Sequence, residues 1–481
     1  MSNSTLHKAN LWKYFLKTKM PATSSVVQLP DGCRWLHESS EDPSLALLVR
    51  VSYIEISEKI LSLARTDRGC VIKGNPGIGK SCFLSYCLWR FASGKKTVVF
   101  ESVEQQGRWV FRPNGSVSFH SRSTFVPELD VASTYYLFDP YGNEADEARG
   151  TYAFTIVASS PNPDHFKGFQ KRLRCETTFF MPCWSLEELY AIRASAPGIL
   201  DEDEVKARFE VVGGIPRYIF QSAPKFDNLK SYIDLKLDNI DLKVISKALG
   251  NPEEGDEISH KLIQYEVDTT SYTKSTVKFA SEYVEVELPK RASKDSLKQL
   301  GEMIDNLARV GNAAVLNGHL FEHFAHTVYP RGITLRARQL TAKGQRPTQP
   351  ETIAFPEVDS RMFKNAAELK SALVAGCYAR PKKPTYAAVD AIASYNDGIV
   401  FLQYTRGKVH PISLDQLYED LKVAQSVNRL QKKFRFYFVV PPHRFNAFKM
   451  QALKFEDGTA PKLAEVKKYI EQWVLELKTT V

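Results

Sequence analysis

The segment Gly74-Asn75-Pro76-Gly77-Ile78-Gly79-Lys80-Ser81 constrains the fold of this chain more than any other. Its spacing is G-x-x-x-x-G-K-[ST], and its flanks predict a short buried strand over residues 69–72 and a helix over residues 82–91. In that setting the glycines let backbone N–H groups turn toward a pyrophosphate, and the helix N-terminus adds partial positive charge. We therefore predict a phosphate-binding loop, with a Gly/Pro surface turn as the alternative.

The chemistry of a nucleotide site assigns a role to each polar residue of this loop and of the next strands. Lys80 is expected to reach the β- and γ-phosphates of ATP, and Ser81 to hold Mg²⁺. Residues 133–139 predict an apolar strand that ends in Asp139, the Walker B candidate for magnesium, unless this aspartate only caps a turn. Pro140 follows where many ATPases carry a glutamate, and Glu144 is the nearby acid, so hydrolysis is expected either to be slow or to need an outside group.

Two further residues are candidates for sensing the nucleotide. Residues 152–158 predict a third strand, and Ser159 or Ser160 just beyond it is expected to face the γ-phosphate, although a serine turn before proline explains these residues equally well. The turn Gly213-Gly214-Ile215-Pro216 precedes Arg217, whose guanidinium is expected to swing toward bound phosphate. A surface ion pair is the alternative for Arg217.

Length and charge bound the rest of the chain. The 481 residues predict two to four domains, at roughly 100–200 residues per domain. We divide them into an N-terminal segment (1–44, irregular or a short amphipathic helix), a P-loop NTPase core (45–185), a helical extension (186–310) and a second domain (311–481). Residues 311–481 hold 25 Lys and Arg against 15 Asp and Glu, so they carry more than the whole net charge of +9. This excess predicts an anionic partner, double-stranded DNA or RNA.

The second domain shows a distinct order of elements. We predict a helix over 315–329, strands over 332–340, 386–392 and 399–405, a helix over 413–430 and a strand over 434–440. The second and third strands form a hairpin through Asn396-Asp397-Gly398. The whole chain is thus α/β: an AAA/STAND-like P-loop core with a helical extension, followed by a restriction-endonuclease-like αβββαβ domain.

That order is similar to PD-(D/E)xK nucleases, in which acidic side chains hold Mg²⁺ and the metal activates the attacking water. Glu322 on the helix and Asp390 at the second strand occupy the first two acidic positions. Gln403 stands at the third, and Thr405 stands where the lysine is expected. Lys408 or His410 could supply the missing group, His410 as a general base, although it could also merely cap the next helix.

The combination of motifs resembles Crinkler effectors and retrotransposon-hot-spot proteins. The resemblance rests on the P-loop, on Tyr136-Leu137-Phe138-Asp139, on Met181-Pro182-Cys183-Trp184-Ser185 and on the nuclease-like end, and it covers about residues 45–445. It implies an ATPase joined to a nuclease-like module that acts in a nucleus, a host nucleus if the protein is secreted, and host cell death. No recognisable Crinkler leader is seen in residues 1–44, and Arg380-Pro381-Lys382-Lys383-Pro384 predicts either a nuclear localisation signal or a solvated basic run.

Two functions follow from these patterns. The first is an ATP-binding and ATP-hydrolysing effector with an ATP-regulated, Mg²⁺-dependent DNA nuclease. The second is a non-catalytic ATP switch that binds nucleic acid or a host protein through an inactive nuclease fold. No apolar run approaches the roughly 18 residues that span a bilayer, so no membrane partner is expected. The pattern leaves assembly into an oligomer open.

Overall fold

The computed structural model describes residues 3–38, 46–140, 148, 151–159, 166–173, 177–195, 200–220, 226–239, 259–295, 297–308, 314–342, 348–382, 386, 388–395, 398–454 and 460–479. The chain separates into two compact units, residues 1–287 and residues 288–481. The finer division into four segments stays a prediction. Among the described residues, no helix combines the length and the apolar character that crossing a membrane requires.

The helices of the first unit are α1 (Asn3–Lys17), α2 (Val51–Leu63), α3 (Lys80–Ser93), α4 (Lys167–Leu173), α5 (Leu186–Ile192), α6 (Glu202–Val212), α7 (Pro216–Phe220), α8 (Phe226–Asp238), α9 (Ser259–Leu262) and α10 (Glu282–Asp295), which continues past residue 287. Its strands are β1 (Val26–Val27), β2 (Leu47–Leu48), β3 (Gly69–Lys73), β4 (Val98–Ser102), β5 (Gly107–Phe111), β6 (Val117–Ser121), β7 (Tyr135–Asp139), β8 (Phe154–Ser159), β9 (Thr178–Phe180), β10 (Ile263–Val267) and β11 (Ser275–Phe279). Short 3₁₀ turns cover Pro127–Asp130 and Arg193–Ser195.

The main sheet of this unit has the order β6-β5-β4-β7-β8-β3-β9. The five strands β4, β7, β8, β3 and β9 pair in parallel in this order, while β5 and β6 form an antiparallel extension beside β4. Because the parallel strands are buried on both faces, their sequences are nearly continuous apolar runs. Their carboxyl ends meet at one edge, where the loop after β3 and the last residue of β7 lie.

The N-terminal segment is helical and packed, so the amphipathic-helix alternative describes it better than an irregular chain. Trp12 and Phe15 of α1 are fully buried. The indole N–H of Trp12 donates to the carbonyl of Arg112 at 2.7 Å, and the ring of Phe15 stacks on Trp89 of α3 with 4.7 Å between centroids. Helix α1 thereby covers the back of the P-loop helix.

One segment whose side-chain pattern predicts a strand is a helix. The alternation of apolar and polar side chains over residues 283–288 predicts a strand, yet these residues lie in α10. Ser281 Oγ accepts the N–H of Val284 and thereby caps the helix start. Val284 and Leu288 are buried and stand four residues apart on one helix face, whereas Val286 is exposed. The cap and the i, i+4 pair therefore outweigh the apparent alternation.

The second unit begins with the end of α10. It continues with the helices α11 (Leu297–Leu307), α12 (Ala314–Val328), α13 (Ala366–Val374), α14 (Leu414–Val427), α15 (Pro442–Phe445) and α16 (Ala460–Tyr469). Its strands are β12 (Arg331–Gln339), β13 (Glu351–Glu357), β14 (Ser360–Phe363), β15 (Tyr378–Pro381), β16 (Ala391–Tyr395), β17 (Gly398–Tyr404), β18 (Ile412–Ser413), β19 (Phe434–Val440), β20 (Leu453–Lys454) and β21 (Ile470–Glu476).

The large sheet of this unit has the order β13-β12-β21-β19-β17-β16-β15-β14. Strands β16 and β17 form the expected antiparallel hairpin, with Ala391 opposite Leu402, and β17 pairs in parallel with β19. The predicted αβββαβ order is therefore present, but β13, β14, α13 and β15 are inserted between its first two strands. The hairpin begins at Ala391 rather than at residue 386, so Asp390 lies at its entrance.

Candidate functional site

The loop from Gly74 to Gly79 is built around backbone conformations and spaces that only glycine fits. Gly77 and Gly79 have φ angles of +82° and +94°, which L side chains rarely adopt. A Cβ atom at Gly74 would lie 2.6 Å from Ile78 Cδ1, and one at Gly79 would lie 2.9 Å from the Tyr53 hydroxyl. Helix α3 begins at Lys80, directly after this loop. The loop therefore aims the helix N-terminus at the space it encloses.

Lys80 and Asp139 face each other at this point. The ammonium of Lys80 donates to the carbonyls of Gly74 and Asn75 at 2.8 and 2.9 Å. Ser81 Oγ donates to Asp139 Oδ1 at 3.2 Å, which joins the helix start to the end of β7. Burial lowers the pKa of Lys80 to about 7 and raises the pKa of Asp139 to about 7, in each case against the attraction of the other charge. Both groups are therefore costly to keep charged without a ligand.

The side chain of Asn75 points away from the interior of the loop and forms hydrogen bonds with another part of the chain. Its Nδ2 donates to the carbonyl of Ile263 at 2.8 Å, and its Oδ1 accepts the N–H of Tyr265 at 3.0 Å. Both partners lie in β10, so the side chain fastens the loop to the β10–β11 hairpin. Pro76 and Ile78 complete the loop, and Ile78 is fully buried. A contact of Asn75 with nucleotide through its backbone stays a prediction.

Arg217 lies beside the loop, at the start of α7. A Cβ atom at Gly77 would come within 2.8 Å of Arg217 Cβ, and the arginine charge contributes to lowering the pKa of Lys80. The side chain is exposed and, among the described residues, forms no ion pair. The surface-pair alternative therefore finds no support. Ser160 lies outside the described residues; its neighbour Ser159 is buried at the end of β8, in register with Lys73.

Three residues that support the loop were missed by sequence reasoning. The Tyr53 hydroxyl donates to the Gly79 carbonyl at 2.9 Å, and the Trp184 indole N–H donates to the Ile78 carbonyl at 2.8 Å. Arg50 forms a bidentate pair with Glu188 and stacks over the Trp184 ring at 5.0 Å. Ser185 and Glu188 also form a capping box at the start of α5, which fixes Glu188 beside Arg50.

The backbone of the Gly213-Gly214 turn is held against the same tryptophan. The Trp184 N–H donates to the Gly214 carbonyl at 2.9 Å, and a Cβ atom at Gly214 would lie 2.0 Å from the Trp184 carbonyl oxygen. No larger residue fits there without movement of the backbone. Trp184 therefore touches both the P-loop and the turn that carries Arg217.

These residues fit a magnesium nucleotide. The loop provides main-chain N–H groups and a helix N-terminus. Lys80 provides an ammonium group, which donates to carbonyls of the loop in this structure. Ser81 and Asp139 provide two adjacent oxygen atoms. Oxygen ligands of this kind are those that Mg²⁺ takes in nucleotide sites. Lys80 would hold the β- and γ-phosphates, and Ser81 with Asp139 would hold the metal.

A second group of polar residues lies in the second unit, at the entrance of the β16–β17 hairpin. Asp390 Oδ2 accepts the Gln403 Nε2–H at 2.7 Å and the Tyr404 N–H at 2.6 Å. Burial and then the charge of Glu322 raise the pKa of Asp390 well above its ordinary value. Glu322, Asp390 and Gln403 are thus brought together, as the sequence predicts.

Glu322 and Asp390 line one cavity of about 80 Å³, together with His326, Met362, Arg380, Pro381, Tyr386 and Val389. His326 Nε2 lies 3.5 Å from Glu322 Oε1, and its Nδ1 lies 2.6 Å from the Tyr378 hydroxyl. Burial lowers the pKa of His326, so the imidazole is neutral at pH 7 and its contact with Glu322 is a hydrogen bond. The i, i+4 spacing of Glu322 and His326 on a helix was available in the sequence and would have found it.

The remaining predicted residues lie around this cavity without lining it. Thr405 is buried, and its Oγ1 accepts the Gly407 N–H at 3.1 Å, so it stabilises a turn and brings no charge. His410 is fixed through its backbone N–H, which donates to Gln451 Oε1 at 2.7 Å. Burial lowers the pKa of His410, and the charge of Glu322 opposes that shift. Lys408 is exposed.

The two carboxylates fit a divalent cation, but Gln403 does not contribute to one as it is oriented. Its amide nitrogen faces Asp390, and a metal would need the amide oxygen there instead. Among the described residues, no group of three or more His, Cys, Asp or Glu side chains is arranged to hold a metal ion. Metal binding at this site would therefore rest on Glu322 and Asp390, with Gln403 turned over.

Comparison with known proteins gives two relatives over most of the chain. The chain is 26% identical to Crinkler effector protein 16 of Phytophthora infestans over 430 residues and 26% identical to Crinkler effector protein 15 over 434 residues. Each alignment covers 86% of this chain and 66% of the relative. This similarity supports the resemblance to Crinkler effectors. No protein-family model matches the chain.

Among solved structures, the chain is similar to the Aeropyrum pernix ORC1 protein in complex with DNA. The match has 11% identity and covers 51% of this chain and 91% of that one. Its TM-score is 0.20, which is too low to support a conclusion about fold or partner.

Proposed function

We propose that residues 1–287 bind and hydrolyse ATP as a magnesium complex. The observation that carries this proposal is the 3.2 Å hydrogen bond from Ser81 to Asp139. In this bond the residue after the P-loop lysine contacts the acid that ends β7, a parallel strand separated from β3 by β8. These are the two oxygen groups that hold magnesium in P-loop nucleotidases.

The roles of the residues follow from their contacts. Lys80 exchanges the Gly74 and Asn75 carbonyls for phosphate oxygens, which restores its full charge. Bound magnesium neutralises phosphate charge and favours the ionised form of Asp139. Arg217 supplies a second cation beside Gly77. Because Pro140 follows Asp139, no carboxylate for activating water stands next to the metal ligand, so turnover is slow.

A lysine substitution tests this proposal. Lys80→Ala removes the charge aimed at the β- and γ-phosphates and should weaken ATP binding by at least about tenfold, since charge-assisted hydrogen bonds are worth about 1.5–3 kcal/mol. The melting temperature should not fall, because the buried ammonium is itself costly. Lys96→Ala, at an exposed position after α3, is the matched control. Wild-type ATP affinity in Lys80→Ala, measured by calorimetry, would refute the assignment.

For residues 288–481 we propose a Mg²⁺-dependent DNA nuclease that the nucleotide regulates. Support comes from the shared cavity of Glu322 and Asp390 and from the basic excess of residues 311–481. The similarity to Crinkler effector proteins supports an effector that acts inside a host cell, and we propose the host nucleus as its place of action. The basic run from Arg380 gives little support for nuclear import, since Arg380 and Pro381 belong to β15.

The orientation of Gln403 favours a second candidate function. Its amide N–H groups satisfy Asp390 without any metal, as expected of a nuclease fold that binds but does not cut. In that case the second unit is a binding module for nucleic acid or a host protein, controlled by ATP. Cleavage of plasmid DNA with Mg²⁺ separates the two candidates, because only the first predicts a metal-dependent product that Asp390→Ala abolishes.

A further inference from the structure

The cavity between Glu322 and Asp390 contains a cation that neither acid neutralises. The position where a nuclease of this kind carries a lysine is Thr405, which is uncharged and turned toward Gly407. Arg380 instead enters the cavity from the neighbouring strand β15. Among the described residues it forms no ion pair, although Glu322 and Asp390 line the same cavity. The guanidinium therefore has donor capacity that a ligand in this cavity can use.

The local structure fixes where Arg380 points. Strand β15 pairs in parallel with β14 and places Arg380 opposite Met362, which also lines the cavity. Arg380 Nε is buried and has no hydrogen-bond partner among the described residues. Leaving such a donor unsatisfied costs about 1–3 kcal/mol, so sites of this kind retain it for a reason other than stability. A guanidinium bonds phosphate oxygens in a bidentate manner, and these would satisfy Nε.

We propose that Arg380 is the phosphate-binding cation of the nuclease site and takes the part of the lysine that Thr405 replaces. The inference rests on the nuclease function proposed above and assigns its substrate-side residue. The ligand is a phosphodiester: Arg380 would bind its non-bridging oxygens, and Glu322 and Asp390 are the residues that would hold a divalent cation in the same cavity. Arg380 binds the oxygens on which negative charge develops as the phosphodiester is attacked.

The other candidates are less well placed. Lys408 is exposed on the turn after β17, and neither Lys408 nor His410 lines the described cavity. His326 lines it but is neutral at pH 7, because burial lowers its pKa. Among the described residues that line this cavity, Arg380 is thus the one with a guanidinium or ammonium group.

The test compares three variants of the full chain in single-turnover cleavage of plasmid DNA with Mg²⁺ and ATP. Arg380→Gln should slow cleavage by about 10²–10³-fold, the usual loss when one charge-stabilising donor is removed. Arg380→Lys should recover a large part of the rate, since it restores the charge without the bidentate fork. Arg361→Gln, an exposed arginine on the adjacent strand β14, should cut at the wild-type rate. DNA affinity without metal should change by less than about threefold in Arg380→Gln, because many phosphate contacts contribute.

The outcomes separate the inference from the function on which it rests. If the wild type cuts and Arg380→Gln cuts equally fast, the inference is wrong and the nuclease assignment stands. If Arg380→Lys is as slow as Arg380→Gln and both melt at a lower temperature, Arg380 is only structural and the inference is again wrong. If the wild type never cuts with any divalent metal, the proposed nuclease is refuted and this inference is refuted with it.

Discussion

The attachment of the P-loop to the β10–β11 hairpin gives a prediction about stability that is separate from nucleotide chemistry. Asn75 is almost fully buried, and its side chain satisfies the Ile263 carbonyl and the Tyr265 N–H. Both of these residues are buried as well. Asn75→Ala removes both of these hydrogen bonds in a buried setting to which water has little access.

The magnitude follows from the two lost hydrogen bonds. A buried main-chain group without a partner costs about 1–3 kcal/mol, so Asn75→Ala should lower the free energy of unfolding by about 2–6 kcal/mol. For a unit of this size each kcal/mol lowers the melting temperature by about 2–4 °C. The transition of the first unit should therefore move down by roughly 4–24 °C, by the same two estimates.

Differential scanning calorimetry without nucleotide measures this shift. The matched control is Asn114→Ala, because Asn114 Oδ1 also accepts a main-chain N–H, that of Ser116 at 3.0 Å, but in an exposed turn. That control should stay within about 0.5 kcal/mol of the wild type, as most surface substitutions do. If Asn75→Ala melts with the control, Asn75 does not hold the loop to the hairpin, and our reading of its role is wrong.

Three further predictions concern the two sites and the second unit. Asp139→Asn should retain ATP binding but slow hydrolysis, because it removes a metal-binding charge, and an unchanged rate of phosphate release would mean that another acid holds the metal. Asp420→Asn should raise the melting temperature at pH 8 more than at pH 4. Burial raises the pKa of Asp420 to about 6, so ionisation of this carboxyl destabilises the native state and the free energy of unfolding falls as the pH rises from about 4 to 6. An equal effect of the substitution at both pH values would contradict this. DNA binding by the full chain should weaken steeply with salt as counterions are released, and a salt-independent affinity, or none at low salt, would point to a protein partner instead.

Local patterns predicted the parts of the fold whose cause is local. The glycine spacing of the P-loop, the apolar run that ends in Asp139 and the hairpin that joins β16 to β17 were all identifiable from neighbouring residues. The strand predicted over 434–440 coincides with β19, a nearly continuous run of aromatic residues and valines in which every residue except Arg435 is buried. The excess of Lys and Arg over Asp and Glu in residues 311–481 was likewise found by counting residues.

Long-range contacts were not predictable from one sequence. The partners of Asn75 lie 188 and 190 residues away, so its side chain appeared to belong to the nucleotide site. In the sequence, Arg380 appears only as part of a basic run. The pairing of β14 with β15 orients its side chain toward the cavity, and neighbouring residues do not indicate that pairing. The strand predicted over residues 283–288 is wrong for a different reason. In so short a segment, the two-residue alternation of a strand and the four-residue repeat of a helix place apolar residues at the same positions.

Nicking of supercoiled plasmid by the full chain, with Mg²⁺ and with or without ATP, tests the central claim most directly. We expect the wild type to nick the plasmid in a metal-dependent reaction whose rate changes when ATP is added. Nicking by Lys80→Ala should not respond to ATP, and Asp390→Ala should not nick the plasmid. Persistent absence of nicking with Mg²⁺, Mn²⁺ or Ca²⁺, in the presence of ATP and with DNA bound, would contradict it and establish the second unit as a binding module.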